Sequence, residues 1–272
     1  MSEKQGKSRL ATVVLVALLV VGLSLLLYPV ISNIWNSFHQ SQAITEYSEE
    51  VSDMSSEDYE RLWSEAESYN RSLVDDETRF SMAESERAFY QNLLKVSDTG
   101  VMGSVEIPSL GVSVPIYHGT EESVLQVGAG HIEGSSLPTG GEGTHCALSG
   151  HRGLPSSELF TDIDKLEEGD LFILQVLDRT MTYQVDQILT VDPYDMEALA
   201  IDPQQDYCTL VTCTPYGINT HRLLVRGHRV PNQSIETAGS VFQPDPVILA
   251  AIAGVAAVVA VAAFCVVARR KQ

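Results

Sequence analysis

Three residues with complementary chemistry stand at the ends of predicted strands. Cys213 ends an apolar run typical of a buried strand, His151 follows another such run, and Arg222 begins a third. A cysteine acts as a nucleophile through its thiolate, which a neighbouring cation or base stabilises. A histidine can move the thiol proton to a leaving group, and an arginine can stabilise an oxyanion. Together they predict a thiol acyltransferase.

Each of the three residues also has a structural interpretation or a competitor. A cysteine at a strand end is often only a small buried side chain. Arg226 competes with Arg222 because residues four apart lie on the same face of a strand. Five further histidines could be surface residues or satisfied core residues: His118, His131, His145, His221 and His228.

Two uncharged runs, 10–31 and 247–268, are long enough to cross a bilayer, for which about 20 apolar residues suffice. Basic residues precede the first run and follow the second, which places both termini in the cytoplasm and the intervening chain outside. A cleaved signal peptide is the alternative for the first run, although the run exceeds a signal-peptide core. A buried core helix is the alternative for the second, although its apolar residues surround the helix.

The predicted organisation of this two-pass membrane protein follows from these runs. It comprises a cytoplasmic N-terminus (1–9), a transmembrane helix (10–31), a helical extension (32–99), a β-rich catalytic domain (100–230), a linker (231–246), a second transmembrane helix (247–268) and a cytoplasmic tail (269–272).

Charge and residue spacing exclude several classes of partner. The formal net charge of −19 makes nucleic acid and anionic lipid poor partners. No Cys-x2-Cys or His-Glu-x-x-His spacing occurs, and the EF-hand loop pattern is missing. We therefore expect neither a catalytic metal nor a cofactor.

The spacing of apolar residues between the two apolar runs changes near residue 100. Between Ser55 and Leu94 there is no proline and the apolar residues have helical spacing, which predicts two helices, the first capped by Ser55 and Ser56. Seven short β-rich runs follow: Val101–Ile107, Val112–Ile116, Thr144–Ser149, Leu171–Val176, Met181–Thr190, Tyr207–Cys213 and Leu223–Val230. This pattern predicts a mostly β protein, a closed β-barrel with a helical N-terminal extension.

Several segments between about residues 100 and 230 resemble the sortase family. The strongest are Ser149-Gly-His-Arg-Gly153, Thr209-Leu-Val-Thr-Cys213-Thr-Pro-Tyr216 and His221-Arg-Leu-Leu-Val-Arg-Gly227. The helical extension, the Cys-Thr-Pro-Tyr segment and the second apolar run are similar to class C, the pilin-polymerising sortases of Gram-positive bacteria.

The resemblance implies an eight-stranded barrel and a specific reaction. A sorting signal of the LPXTG type at the C-terminus of a pilin or surface protein would be cleaved between Thr and Gly. The cleavage would leave a thioacyl-enzyme on Cys213, and its acyl group would then pass to a lysine amine of another pilin. We expect Thr212 and Thr214 to bind substrate, with backbone N–H groups near Thr214 assisting the oxyanion. The alternatives are attachment of surface proteins to a cell-wall precursor amine, simple hydrolysis and an inactive binding module.

Class C sortases often carry a lid, an Asp-Pro-aromatic segment that precedes the barrel and occupies the active site. Between the two predicted helices this chain has Leu73-Val-Asp-Asp-Glu-Thr-Arg-Phe80, without proline. Asp192-Pro193-Tyr194 spells the motif but follows a long strand and is expected to be a turn. Either Asp75 or Asp76 together with Phe80 forms a degenerate lid, or the chain has none.

Two cysteines lie five residues upstream of the candidate catalytic pair, Cys146 before His151 and Cys208 before Cys213. If the two strands are parallel neighbours with His151 level with Cys213, the upstream cysteines are level too. An extracytoplasmic location allows a disulfide between them, on the face opposite Cys213. Two buried thiols are the alternative, since disulfide geometry is strict.

Overall fold

The computed structural model describes residues 2–154, 157–232 and Gly254, with side chains from Val14 onward. The chain divides into two compact units, Met1–Ile34 with Glu236–Gln272, and Trp35–Ile235. The predicted second membrane helix and the cytoplasmic tail lie outside the described residues except for Gly254, as does nearly all of the predicted linker.

The first helix, α1, is continuous over Ser2–Ser52 and contains the predicted apolar span 10–31. Its segment Val14–Ser52 is the helix in the described part of the chain that is long and apolar enough to cross a membrane, with a mean hydropathy of 2.8 in its best window. Apolar side chains such as Leu15, Leu18 and Leu25 are exposed. Because no glycine or proline occurs between residues 32 and 52, the helix continues beyond the apolar run. The helix supports membrane anchoring of the chain.

The two helices predicted after residue 55 are confirmed as α2 (Ser56–Leu73) and α3 (Glu84–Tyr90). Ser55 caps α2, since its Oγ accepts a hydrogen bond from the N–H of Asp58 at 3.2 Å. The cap satisfies an amide at the helix start that has no partner within the helix.

Helix α2 is fastened to the β-domain through polar contacts in its middle and near its C-terminal end. In the middle, the indole Nε1 of Trp63 donates to Asp178 Oδ1 at 2.8 Å. Near the C-terminal end, Asn70 accepts from the N–H of Leu137 at 2.7 Å and donates to its carbonyl at 3.1 Å. These contacts fix α2 against the domain that carries the candidate site.

Eight strands close into a barrel in the order β1-β2-β3-β4-β7-β8-β6-β5. They are β1 (Val101–Ile107), β2 (Val112–His118), β3 (Ala129–His131), β4 (Thr144–Ser149), β5 (Leu171–Val176), β6 (Arg179–Val191), β7 (Asp206–Thr214) and β8 (His221–Val230), with a short helix α4 (Glu122–Leu125) before β3. The predicted barrel is confirmed. The seven strand runs all correspond to strands, whereas β3 is too short to show an alternating pattern.

The barrel interior is filled by large apolar side chains. Phe172 and Tyr183 stack with their ring centroids 5.5 Å apart, and a Cβ at Gly227 would lie 2.7 Å from the Phe172 ring. A glycine is therefore required at this point of β8 for the ring pair to fit.

A second apolar group lies apart from the barrel interior. We call it the outer cluster; it consists of Ala147, Leu199, Val211 and Leu224. Because side chains alternate along a strand, Leu210 belongs to the barrel core and Val211 to the outer cluster.

Candidate active site

The strand ends singled out in the sequence meet at one edge of the barrel. Strand β4 runs parallel to β7 with Ser149 level with Val211, which confirms the predicted pairing. Continued by two residues, this register brings His151 level with Cys213. On the other side, β8 runs antiparallel to β7 and sets Arg222 directly opposite Cys213. The cysteine therefore stands between the strand ends that carry the histidine and the arginine.

The thiol of Cys213 lies on the outward side of the barrel. Along β7, Cys208 and Leu210 are fully buried in the core, while Val211 belongs to the outer cluster. Alternation places Cys213 on the same face as Val211, and its side chain is partly exposed. The thiol thus faces a surface whose floor is the outer cluster, where a peptide can reach it.

The side chain of Thr212 is buried and forms a hydrogen bond with the backbone. Its Oγ1 donates to the carbonyl of Gly150 at 2.7 Å. The N–H of Gly150 in turn donates to Val211 O at 3.0 Å, and a Cβ at this glycine would lie 2.5 Å from the Phe160 ring. The hydroxyl of Thr212 is thus placed where it positions the loop leading to His151, and substrate binding by Thr212 stays a prediction.

Thr214 is partly exposed and contacts an arginine that the sequence analysis did not single out. Arg152 Nη1 donates to Thr214 Oγ1 at 3.4 Å, and its guanidinium also pairs with Asp164. The same group lies over the Tyr216 ring, 5.8 Å from its centroid. Arg152 thereby connects the loop after β4 to the end of β7, close to the candidate nucleophile.

The ring of His151 is partly exposed, and one of its nitrogens is already engaged. Nε2 lies 3.2 Å from Glu122 Oε2, at the start of α4. Hydrogen bonds from Gln126 and from His151 lower the pKa of the Glu122 carboxyl. Sequence reasoning missed Glu122 because it lies 29 residues before His151 and outside every motif.

The competing histidines have structural partners. His131 Nδ1 lies 2.7 Å from the Tyr90 hydroxyl. Burial lowers the pKa of His118, and it lowers the pKa of His145 to about 4. His145 contacts Thr209 Oγ1 at 2.7 Å. The remaining two lie near acidic residues: His221 near Asp192 and His228 near Asp186.

The two candidate arginines on β8 differ in their hydrogen-bond and ion-pair partners. Arg226 forms two hydrogen bonds of 3.0 Å with Asp186 and lies over the Tyr207 ring, 4.2 Å from its centroid. Among the described residues, Arg222 donates to backbone carbonyls, at 3.1 Å to that of His221. Within the described part of the chain, no salt bridge of Arg222 is present. Its guanidinium remains available to a ligand.

The two acidic residues of the candidate lid lie at the surface. Asp75 is exposed. Asp76 accepts hydrogen bonds from the N–H and the hydroxyl of Thr78, at 2.8 and 2.7 Å. These bonds stabilise a local turn and lower the pKa of Asp76. The Asp76 carboxylate is thus used within its own segment.

Phe80, by contrast, packs on the outer cluster. Arg79 lies over its ring, 4.2 Å from the centroid, and donates to the carbonyls of Gly134 and Leu199 at 2.8 and 2.9 Å. The segment between α2 and α3 therefore covers part of the face that carries Cys213.

The segment Asp192-Pro193-Tyr194 is a turn after β6, as expected. The N–H of Asp195 donates to Asp192 O at 3.1 Å, and Tyr194 is 93% exposed. Its exposed ring fills no site.

Cys146 and Cys208 are direct partners across the parallel β4–β7 ladder, which confirms their predicted register. Both are buried, and both are free thiols in this structure. A disulfide between them stays a prediction. Elsewhere in the described ranges, no group of three or more His, Cys, Asp or Glu side chains is arranged to hold a metal ion.

Comparison with known proteins places this geometry in a family. Residues 105–230 match the family model described as Sortase domain. The crystal structure of sortase C1 from Streptococcus agalactiae is 52% identical and superposes with a TM-score of 0.68, covering 71% of this chain and all of that one. The structure of sortase C from Streptococcus pneumoniae is 48% identical with a TM-score of 0.63, covering 70% of this chain and 97% of that one.

Among curated proteins, sortase D of Bacillus subtilis is 30% identical over 131 residues, which is 47% of this chain. The chain spans 63% of the length of that relative.

Proposed function

The chain belongs to the sortase family of cysteine transpeptidases, and from that premise we propose that it polymerises pilins. It cleaves an LPXTG-type sorting signal between Thr and Gly and transfers the acyl group to a lysine amine of another pilin subunit. Support comes from the sortase C structures to which it is similar, the Streptococcus pneumoniae one having been described with respect to pilin substrate specificity.

The first half of the reaction forms a thioacyl-enzyme. The Cys213 sulfur attacks the carbonyl carbon of the threonine while His151 receives the thiol proton. Negative charge develops on the carbonyl oxygen, and the guanidinium of Arg222 stabilises it; such donors contribute about 3 kcal/mol each. The C–N bond then breaks, and the glycine amine leaves with the proton from His151.

The second half returns the enzyme to its starting state. A lysine amine attacks the thioester carbonyl and gives a proton to His151. The C–S bond breaks, the new amide is released, and Cys213 recovers the proton. Water competes with the amine at this stage, so hydrolysis is the expected side reaction.

One observation carries the proposal: the β7–β8 register that sets Cys213 opposite Arg222. The arginine has no carboxylate partner in the described structure, while its neighbour Arg226 is bound to Asp186. A cation left free beside a partly exposed thiol suits stabilisation of an oxyanion.

We further propose that the catalytic domain works outside the cell between two membrane anchors. Helix α1 supports the first anchor, because its apolar span is long enough and its apolar side chains are exposed. The second anchor, 247–268, rests on its uncharged sequence and on the basic residues that follow it. Both termini would then be cytoplasmic.

The test is to incubate the full chain in detergent micelles with an LPXTG-type peptide and to measure the intact mass. We expect an acyl adduct that hydroxylamine removes and that a lysine peptide consumes. Cys213→Ala should abolish the adduct, whereas the matched Cys208→Ala should retain it because that thiol is buried. An adduct on both variants, or none on the wild type, would contradict the proposal.

A further inference from the structure

The carboxylate of Glu122 is held in place on both of its oxygens. Oε2 lies 3.2 Å from His151 Nε2, and Oε1 accepts a hydrogen bond from Gln126 Nε2 at 3.1 Å. Glu122 and Gln126 are four residues apart, at the spacing where helical side chains meet. Both oxygens are thus engaged, and the carboxylate lies against the imidazole although the Glu122 side chain is 69% exposed.

The short helix that carries Glu122 is itself seated close to the site. A Cβ at Gly130 on β3 would lie 3.2 Å from both Val124 and Leu125 of α4. Because Gly130 has no side chain, α4 approaches β3 closely. Gly130 pairs with Ser149 on β4, two residues before His151, so the packing of α4 fixes Glu122 relative to the histidine.

Four chargeable side chains lie on the elements that meet at His151. Glu122 on α4 contacts its ring, Arg152 follows it in the loop, Cys213 lies level with it by the β4–β7 register, and Arg222 lies opposite Cys213 on β8. Arg152 is already paired with Asp164. Of the described residues, Glu122 is the carboxylate that pairs with the His151 ring.

We propose that Glu122 is a positioning residue for the catalytic pair, an inference that rests on the proposed function. By accepting a hydrogen bond from Nε2–H, it leaves Nδ1 as the nitrogen that exchanges the proton with Cys213. It also stabilises the imidazolium that forms when the thiol gives up its proton. A carboxylate beside an imidazole favours the charged ring, and thereby the thiolate–imidazolium pair over the neutral pair.

Glu122→Gln separates the charge from the shape. The amide keeps the length of the side chain and an acceptor oxygen but removes the negative charge. The population of the thiolate–imidazolium pair at neutral pH should fall about threefold, as expected for an ion pair whose carboxylate is exposed. At high pH a cysteine thiol is ionised without the help of an imidazolium. The charge of Glu122 should then no longer affect the amount of thiolate.

The experiment is the pH profile of Cys213 alkylation by iodoacetamide in the full-length protein, read by peptide mapping. We expect Glu122→Gln to react about threefold more slowly than the wild type near pH 7 and equally fast near pH 10. The pH 7 difference should shrink in about 1 M salt because exposed charges are screened. The matched control, Glu121→Gln, removes a neighbouring exposed carboxylate and should follow the wild type.

Equal rates at pH 7 would overturn the inference, and so would a slower rate that persists at pH 10 or an equal loss in Glu121→Gln. The assay contains neither sorting signal nor acceptor. An altered profile together with no acyl adduct would therefore reject the proposed reaction alone, and an adduct with an unaltered profile would reject the role of Glu122 alone.

Discussion

The two ends of the β7–β8 ladder contain similar residues in opposite situations. At one end, Cys208 is fully buried and Arg226 is bound to Asp186. At the other end, Cys213 is partly exposed and Arg222 has only backbone partners in the described structure. The same residue types therefore hold the barrel together at one end and stand ready for a ligand at the other.

The difference comes from what surrounds each end. The end that carries Cys208 and Arg226, here called the occupied end, lies beside polar groups of neighbouring strands. Asp206 accepts from Tyr183 Oη at 2.9 Å and from the N–H of Gly141 at 2.7 Å. At the open end, where Cys213 and Arg222 lie, the strands run into loops, and Arg222 has no carboxylate partner in the described structure. We therefore expect the reactivity of each residue to depend on its partners, which its type does not reveal.

The largest expected effect separates the two arginines. Arg222→Ala should lower kcat/KM for sorting-signal transfer by about 100-fold to 1000-fold, because an oxyanion donor is lost. Its effect on stability should stay within about 0.5 kcal/mol. Arg226→Ala should do the reverse, leaving transfer within a few-fold and lowering the free energy of unfolding by about 1 to 3 kcal/mol, since Asp186 loses its partner.

Peptide-transfer kinetics and denaturant unfolding of both variants measure this contrast. Arg222→Lys keeps the charge without the forked donors and should recover only part of the activity. If Arg226→Ala lost activity as strongly as Arg222→Ala while staying folded, the two ends of the ladder would not be functionally distinct.

Much of this arrangement could be predicted from the sequence because it depends on local pattern. The apolar runs around Cys213 and His151 predicted strands β7 and β4, and counting back five residues predicted the level pair of Cys146 and Cys208.

What could not be predicted depends on contacts distant in the chain. Glu122 reaches His151 from α4, which lies close against the glycine at position 130 of β3. The inward direction of Thr212 depends on strand alternation around the closed barrel, which the motif conceals. The occupation of Arg226 depends on Asp186, 40 residues earlier on β6.

The stability of the protein should also depend on pH, through the buried side chain of His145. Burial lowers the pKa of His145 to about 4, so the unfolded chain, with an ordinary histidine pKa of about 6.5, binds the proton first. Stability is therefore complete above about pH 6.5 and falls as the pH drops towards 4, by about 3 kcal/mol. His118, whose pKa is also lowered by burial, acts in the same direction.

Chemical denaturation of the full chain between pH 7 and pH 4.5 tests this slope. His145→Gln should flatten it, whereas His221→Gln, at an exposed position beside the open end, should leave it unchanged. A slope that survives His145→Gln intact would move the acid-sensitive group elsewhere.

The smallest expected effect concerns what covers the open end. We propose that Phe80 forms a degenerate lid, because its ring packs on the outer cluster beside Val211, on the strand face that carries Cys213. Phe80→Ala should uncover this face and speed alkylation of Cys213 about threefold by easing local opening. The matched control is Phe89→Ala, since that ring is 58% exposed on α3.

Asp75→Ala and Asp76→Ala divide the lid into its parts. Asp76 is bound to Thr78 within its own turn and Asp75 is exposed, so the two acidic residues should add little to the effect of Phe80→Ala. Unchanged alkylation of Cys213 in the triple variant Asp75→Ala/Asp76→Ala/Phe80→Ala would rule out a lid. Equal acceleration by Phe89→Ala would show general loosening of the helical extension rather than release of the face beside Cys213. An effect confined to Phe80 would mean that one aromatic ring covers the end of the ladder that carries Cys213 and Arg222. The availability of that end would then depend on Phe80 as well as on the side-chain partners of the two residues.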